Sequence, residues 1–142
     1  MAAQSLGVTI DLGDLARLAK TNVGKRGTYA ADLGIALTKS GVKNVNHFTT
    51  ANSQGILNWT QKGTPVIATV RSGGVTGTHS IVVDGIWKKP SLGSGWFVAV
   101  RDPGDKRVSY FLSLEDFESV FTGECITTCK FPLDAPHIKL TK

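Results

Sequence analysis

With 142 residues the chain is expected to form one domain over 1–142, long enough to bury a core of its own. Apolar residues at 41% and charged residues at 19% exclude intrinsic disorder, and no apolar run approaches the ~18 residues that a bilayer-spanning helix needs. The net charge of +5 is scattered, with no basic stripe interleaved with aromatics, so a nucleic-acid partner is not expected and neither is a membrane span.

Residues 1–6 read as the tail of a helix stopped by Gly7, and 8–20 as a second helix with Leu12, Leu15, Ala16 and Ala19 on its buried face. Thr28 is a plausible cap for a third helix running to Lys39, with Leu33, Ala36 and Leu37 inward and Gly41 as its stop. Residues 42–48 read as a short strand or extended link, and 51–62 as a weaker helix carrying Ile56, Leu57 and Trp59, closed by Gly63. The pattern then changes to β-branched runs: 65–70, 79–86, 96–101 and 108–112 read as strands. Ser113-Leu-Glu-Asp116 has the form of a capping box and opens a short helix to Gly123. The tail over 131–142 contains Pro132 and Pro136 and shows no clear period. Helices first and a mostly antiparallel sheet after them is an α+β order.

The residues that stand out chemically are His79 and Asp102. His79 begins one apolar strand and Asp102 ends the next, and the turn-rich stretch 87–95 lies between them. A hairpin centred near Pro90 and Ser91 sets the two residues opposite each other. A catalytic imidazole needs one nitrogen fixed by an acceptor and the other free, and Asp102 is placed to be that acceptor. A histidine hydrogen-bonded at a sheet edge for structural reasons is the competing reading. His47 and His137 are expected at the surface. Cys125 and Cys129 lie four apart, which makes no metal site by itself; they are read as partly buried thiols or, on a bent segment, as a local disulfide. No cofactor and no metal are expected.

Four segments, taken in order, resemble the papain-like cysteine peptidases, in particular their bacteriocin-processing branch. They are Gly63-Thr-Pro-Val-Ile-Ala-Thr-Val70, Gly77-Thr-His79-Ser-Ile-Val-Val-Asp-Gly85, Phe97-Val-Ala-Val-Arg-Asp102-Pro-Gly104 and Ser113-Leu-Glu-Asp-Phe117. The likeness covers about Leu6 to Gly123, which implies a core over about 6–123 and a C-terminal tail over 124–142, and Thr78 interrupts the family's Gly-His pair. The resemblance implies a papain-like α+β fold and a triad of cysteine, histidine and aspartate. His79 falls on the base and Asp102 on the orienter.

In that family the nucleophilic cysteine opens the first helix, where the helix dipole lowers its pKa, and a glutamine a few residues earlier donates to the oxyanion. Met1-Ala-Ala-Gln-Ser5 holds no cysteine. Three explanations stand open. The nucleophile lies at or before Met1 or has been replaced by alanine at Ala2 or Ala3; the chain is a natural pseudo-peptidase; or Cys125 or Cys129 serves in a permuted arrangement. Ser5 is a poorer nucleophile, since a hydroxyl needs stronger base activation than a thiol. The expectation is a thiol hydrolase domain of peptidase, deamidase or acyl-transferase type, inactive as it stands. Its partner would be a protein or peptide substrate; the alternative is a non-catalytic module that binds a peptide or protein. Small basic papain-like domains also form the toxic tips of large secreted bacterial proteins, including contact-dependent growth inhibition systems. By that analogy the domain would act in a target-cell cytoplasm and meet an immunity protein.

Overall fold

The computed structural model describes residues 30–71, 77–102 and 109–129. The two expected helices before residue 21, Thr28, Met1 to Ser5 and His137 lie outside the described residues. Three helices and six strands follow in the order α1 (Ala30–Lys39), β1 (Asn46–Phe48), α2 (Ser53–Gln61), β2 (Val66–Arg71), β3 (Thr78–Lys88), β4 (Trp96–Arg101), β5 (Ser109–Ser113), α3 (Leu114–Val120) and β6 (Phe121–Thr127). The strands form one sheet in the order β1-β6-β2-β3-β4-β5, and every neighbouring pair is antiparallel. Among the described residues no helix is long and apolar enough to cross a membrane.

Local chemistry sets the helix ends. Asn52 caps α2 by accepting a hydrogen bond from the Gly55 amide at 3.0 Å, and Ser113 caps α3 by accepting one from the Asp116 amide at 3.1 Å. Gly41 and Gly63 follow α1 and α2 with φ of 97° and 80°, the left-handed conformation that ends a helix cheaply only at glycine.

The sheet is covered on both faces. On one, Val66, Ala68 and Val70 of β2, Ile81, Val83 and Ile86 of β3, Val98 and Val100 of β4 and Cys125 of β6 pack with Ile56, Leu57 and Trp59 of α2 and with Leu114 and Phe117 of α3. On the other, Leu37 of α1 packs with Val42 and Ile126, with Leu33 and Ile67 against them. Successive strand residues alternate between these faces, which is why Cys125 joins one cluster and Ile126 the other.

Three expectations change. The core continues past Gly123, because β6 lies between β1 and β2 and buries Cys125, Ile126 and Thr127. Gly123 does not close the short helix, which ends at Val120; it lies inside β6 with φ of 90°. The β-propensity of Cys125-Ile126-Thr127 and pairing on both sides of the strand outweigh the absence of a longer periodic run. The hairpin between β3 and β4 forms as expected, but its register differs. Val82 pairs with Arg101, so one further step of the ladder sets Asp102 level with Ile81 and not with His79.

Candidate active site

The row of side chains on the α2/α3 face of β3 runs Val83, Ile81, His79. Val83 and Ile81 are sealed in the core, whereas the His79 side chain is 41% exposed, so the row leaves the core at the imidazole. On β4 the same face carries Val98 and Val100, and Asp102 follows just past the strand end with its side chain 9% exposed. His79 and Asp102 are diagonal neighbours on one sheet face, a spacing that long side chains cross. His79 Nε2 lies 2.7 Å from Asp102 Oδ1. A carboxylate only accepts, so Nε2 carries the proton of this bond and Nδ1 is left as the basic nitrogen.

The second oxygen of Asp102 has its own donor. Tyr110 Oη donates to Oδ2 at 3.4 Å, from the β5 position opposite Val100. Sequence reading placed Tyr110 in a strand and gave it no role. The inward alternation of Tyr110 and Leu112 was the available signal, but using it required the β4–β5 register.

The pair stands at a cleft of about 370 Å³. Its floor is apolar, from Val70, Ile81, Leu112 and Val120, and its polar lining comes from His79, Asp102, Arg71, Tyr110, Asp116 and Ser119. The helix α3 supplies Asp116, Ser119 and Val120, so the Ser113 cap bears on one wall of the cleft.

The structure does not bring the cysteines to this cleft. Cys125 and Cys129 are free thiols, both buried, so the local disulfide does not form. Neither lines the cleft. Cys125 lies on β6, with β2 between it and β3, a separation of about 10 Å across the sheet. Burial, with a smaller contribution from the charge of Glu124, pushes its thiol up to about 12. That is the opposite of what an attacking thiolate needs.

His47 is at the surface as expected, with Nε2 3.0 Å from Glu124 Oε2. Glu124 Oε1 also accepts from Thr69 Oγ1 at 3.4 Å, so His47 is tied to the sheet on the face away from the cleft.

No protein-family model matches the chain, and no curated protein matches it. Solved structures do. The peptidase domain of Streptococcus ComA, a bifunctional ABC transporter involved in quorum sensing, superposes with a TM-score of 0.64 at 20% identity, covering 90% of this chain and 85% of that one. The peptidase domain of Streptococcus mutans ComA superposes with a TM-score of 0.60 at 24% identity, covering 83% of this chain and 93% of that one. The α+β arrangement described above, with helices packed on an antiparallel sheet, is the papain-like fold of these peptidase domains.

Proposed function

We propose that this chain is a thiol-hydrolase domain acting on peptide substrates, with His79 as general base and Asp102 as its orienter. The observation that carries the reading is the 2.7 Å bond from His79 Nε2 to Asp102 at the lip of an apolar-floored cleft. In the reaction, Nδ1 of His79 takes the proton of a thiol, and the thiolate sulfur bonds to the substrate carbonyl carbon. The C–N bond breaks as His79 returns the proton to the leaving amine. Water then cleaves the thioester with His79 again acting as base. Asp102 holds the ring tautomer and stabilises the imidazolium at each stage, and the 3.4 Å bond from Tyr110 helps keep that carboxylate turned toward the ring.

The thiol is the missing part. The only two cysteines of the 142 residues are buried away from the cleft, so this chain alone is expected to be catalytically silent. Cysteine introduced singly as A2C or A3C tests the reading. At least one variant should hydrolyse peptides and react rapidly with iodoacetamide near pH 6, and both properties should vanish on adding H79A. If neither variant, nor a chain extended to carry a cysteine a few residues before Met1, shows a thiol that responds to His79 while the fold is intact, the reading fails.

The same observation about the cysteines favours a second reading, a non-catalytic domain that holds a peptide in the cleft. It is supported if the unmodified chain binds peptides, I81R weakens that binding, and the A2C and A3C variants remain inert.

A further inference from the structure

The bond between His79 and Asp102 depends on one irregularity in the hairpin. From the turn, β3 and β4 pair one to one through Lys88–Trp96, Trp87–Phe97, Ile86–Val98 and Gly85–Ala99. The next pair is Val83–Val100, so Asp84 is an extra residue on β3, a β-bulge. Side chains alternate along a strand, and a single extra residue exchanges the faces of everything before it. The core side of β3 therefore passes from Ile86 to Val83 and Ile81, and then to His79. On β4 the alternation runs on unbroken through Val98 and Val100 to Asp102.

We propose that Asp84 is a positioning residue: as the bulged residue held outside the core by Arg101, it selects the register that puts His79 and Asp102 on one face. The proposal rests on the function assigned above to that pair. Without the bulge Asp84 would face Val100, Val82 would be level with Asp102, and His79 would point to the other side of the sheet.

The apolar pattern chooses only in part. Ile81, Val82 and Val83 are all buried, at 2%, 6% and 0% exposure, so either parity buries an aliphatic side chain, although the unbulged ladder would set Ser80 on the core face in place of Ile81. The residue that chooses more sharply is the carboxylate. In the unbulged ladder it would enter the core beside Val98 and Val100 without a partner, which is strongly unfavourable. In the bulged one it accepts two hydrogen bonds from Arg101, Nε to Oδ2 and Nη2 to Oδ1, each 2.7 Å. This bidentate fork has the fixed geometry that holds a carboxylate in one place. Arg101 is the neighbour of Asp102, so the alternation that turns Asp102 toward the cleft turns Arg101 toward the bulge. Next to the bulge the Trp87 ring lies across Gly85 so closely that a Cβ there would come within 2.6 Å of it.

Two variants of the full chain test this by NMR, and neither readout needs hydrolysis. In D84V the valine is at home in the core, so the unbulged register becomes competitive. The cross-strand contact should move from Val83–Val100 to residue 84 and Val100, and the downfield proton on His79 Nε2 should disappear. Deleting Asp84 leaves the same pairs in a regular ladder, so that variant should fold and keep both the Val83–Val100 contact and the ring proton. Retention of Val83–Val100 pairing in D84V overturns the proposal, as does loss of the ring proton or of the fold on deleting Asp84. Hydrolysis by A2C or A3C that ignores His79 would instead overturn the function and leave the register result standing.

Discussion

An imidazole bound to a carboxylate through one nitrogen has a single nitrogen left for chemistry, and here that nitrogen is Nδ1 of His79. The variant D102N reverses the bond. An amide nitrogen turned toward the ring donates, so Nε2 becomes the acceptor and the proton moves to Nδ1, where it blocks base action. In a chain carrying the A2C or A3C thiol, D102N should lower kcat/KM by about 10²–10⁴-fold, the range for a lost acid–base group. The ring 15N shifts should report the exchanged tautomer. Y110F removes a longer bond and should cost severalfold less than D102N in the same assay. The Cys125 thiol, held near 12 in the folded chain against 9.0 for an unperturbed thiol, makes a prediction of opposite sense. Below pH 9 both folded and unfolded thiols are protonated and the group is neutral to stability. Above pH 9 the unfolded chain sheds this proton and the folded chain keeps it, so stability falls as pH rises toward 12, at a limiting slope of about 1.4 kcal/mol per pH unit. C125A compared with the parent in urea titrations between pH 8 and 10.5 should show a shallower decline, and iodoacetamide at pH 8 should label Cys125 only after unfolding.

At the level of elements, stability turns on short local signals, and these are what a sequence displays best. N52A and S113A each remove a helix cap and should each cost about 1 kcal/mol in urea unfolding. S113A should also weaken peptide binding, because α3 lines the cleft. The same locality explains what could be read in advance. Gly41, Gly63, Asn52 and Ser113 punctuate the helices within a few residues of the feature they control. The β3–β4 hairpin was visible from its β-branched runs and its turn. Its register was not, because the bulge at Asp84 is settled by Arg101, a partner 17 positions away whose role appears only once the strands have paired. The expected face for His79 and Asp102 nonetheless held, since level with Asp102 stands Ile81, two residues from His79 and on the same side of the pleat. The strand β6 was missed for a similar reason. Its partners β1 and β2 lie more than 50 residues earlier, and no local period marks it. Tyr110 was missed because its role follows from the β4–β5 pairing and from nothing in its immediate neighbourhood.

For the whole molecule, the position of β6 makes the sheet depend on both ends of the described chain. β1 and β2 are close in sequence but do not pair; β6 separates them and bonds to both. Without it the sheet divides into a lone three-residue strand, Asn46–Phe48, and a four-stranded remainder whose β2 edge is bare. The cores on both faces open together, since Cys125 closes the cluster under α2 and α3 while Ile126 closes the one under α1. Burying an Ile side chain and its neighbours is worth about 1.5–3 kcal/mol per large apolar group, and a domain of this size has only about 5–15 kcal/mol in hand. A chain cut after Gly123, where a core confined to residues 6–123 would end, should therefore lose its cooperative unfolding transition and its amide shift dispersion. The β2 edge that the cut exposes carries Val66, Ile67 and Ala68, an apolar and β-prone row, so the shortened chain should also aggregate. The cleft should be lost with it, because Val70 of β2 forms part of its floor and pairs with His79, and the cut removes Cys125, Ile126 and Thr127, which hold the rest of β2 in the sheet. A shortened chain that unfolds as one unit near the parent's midpoint would mean that β6 is an accessory to the sheet and not part of its foundation.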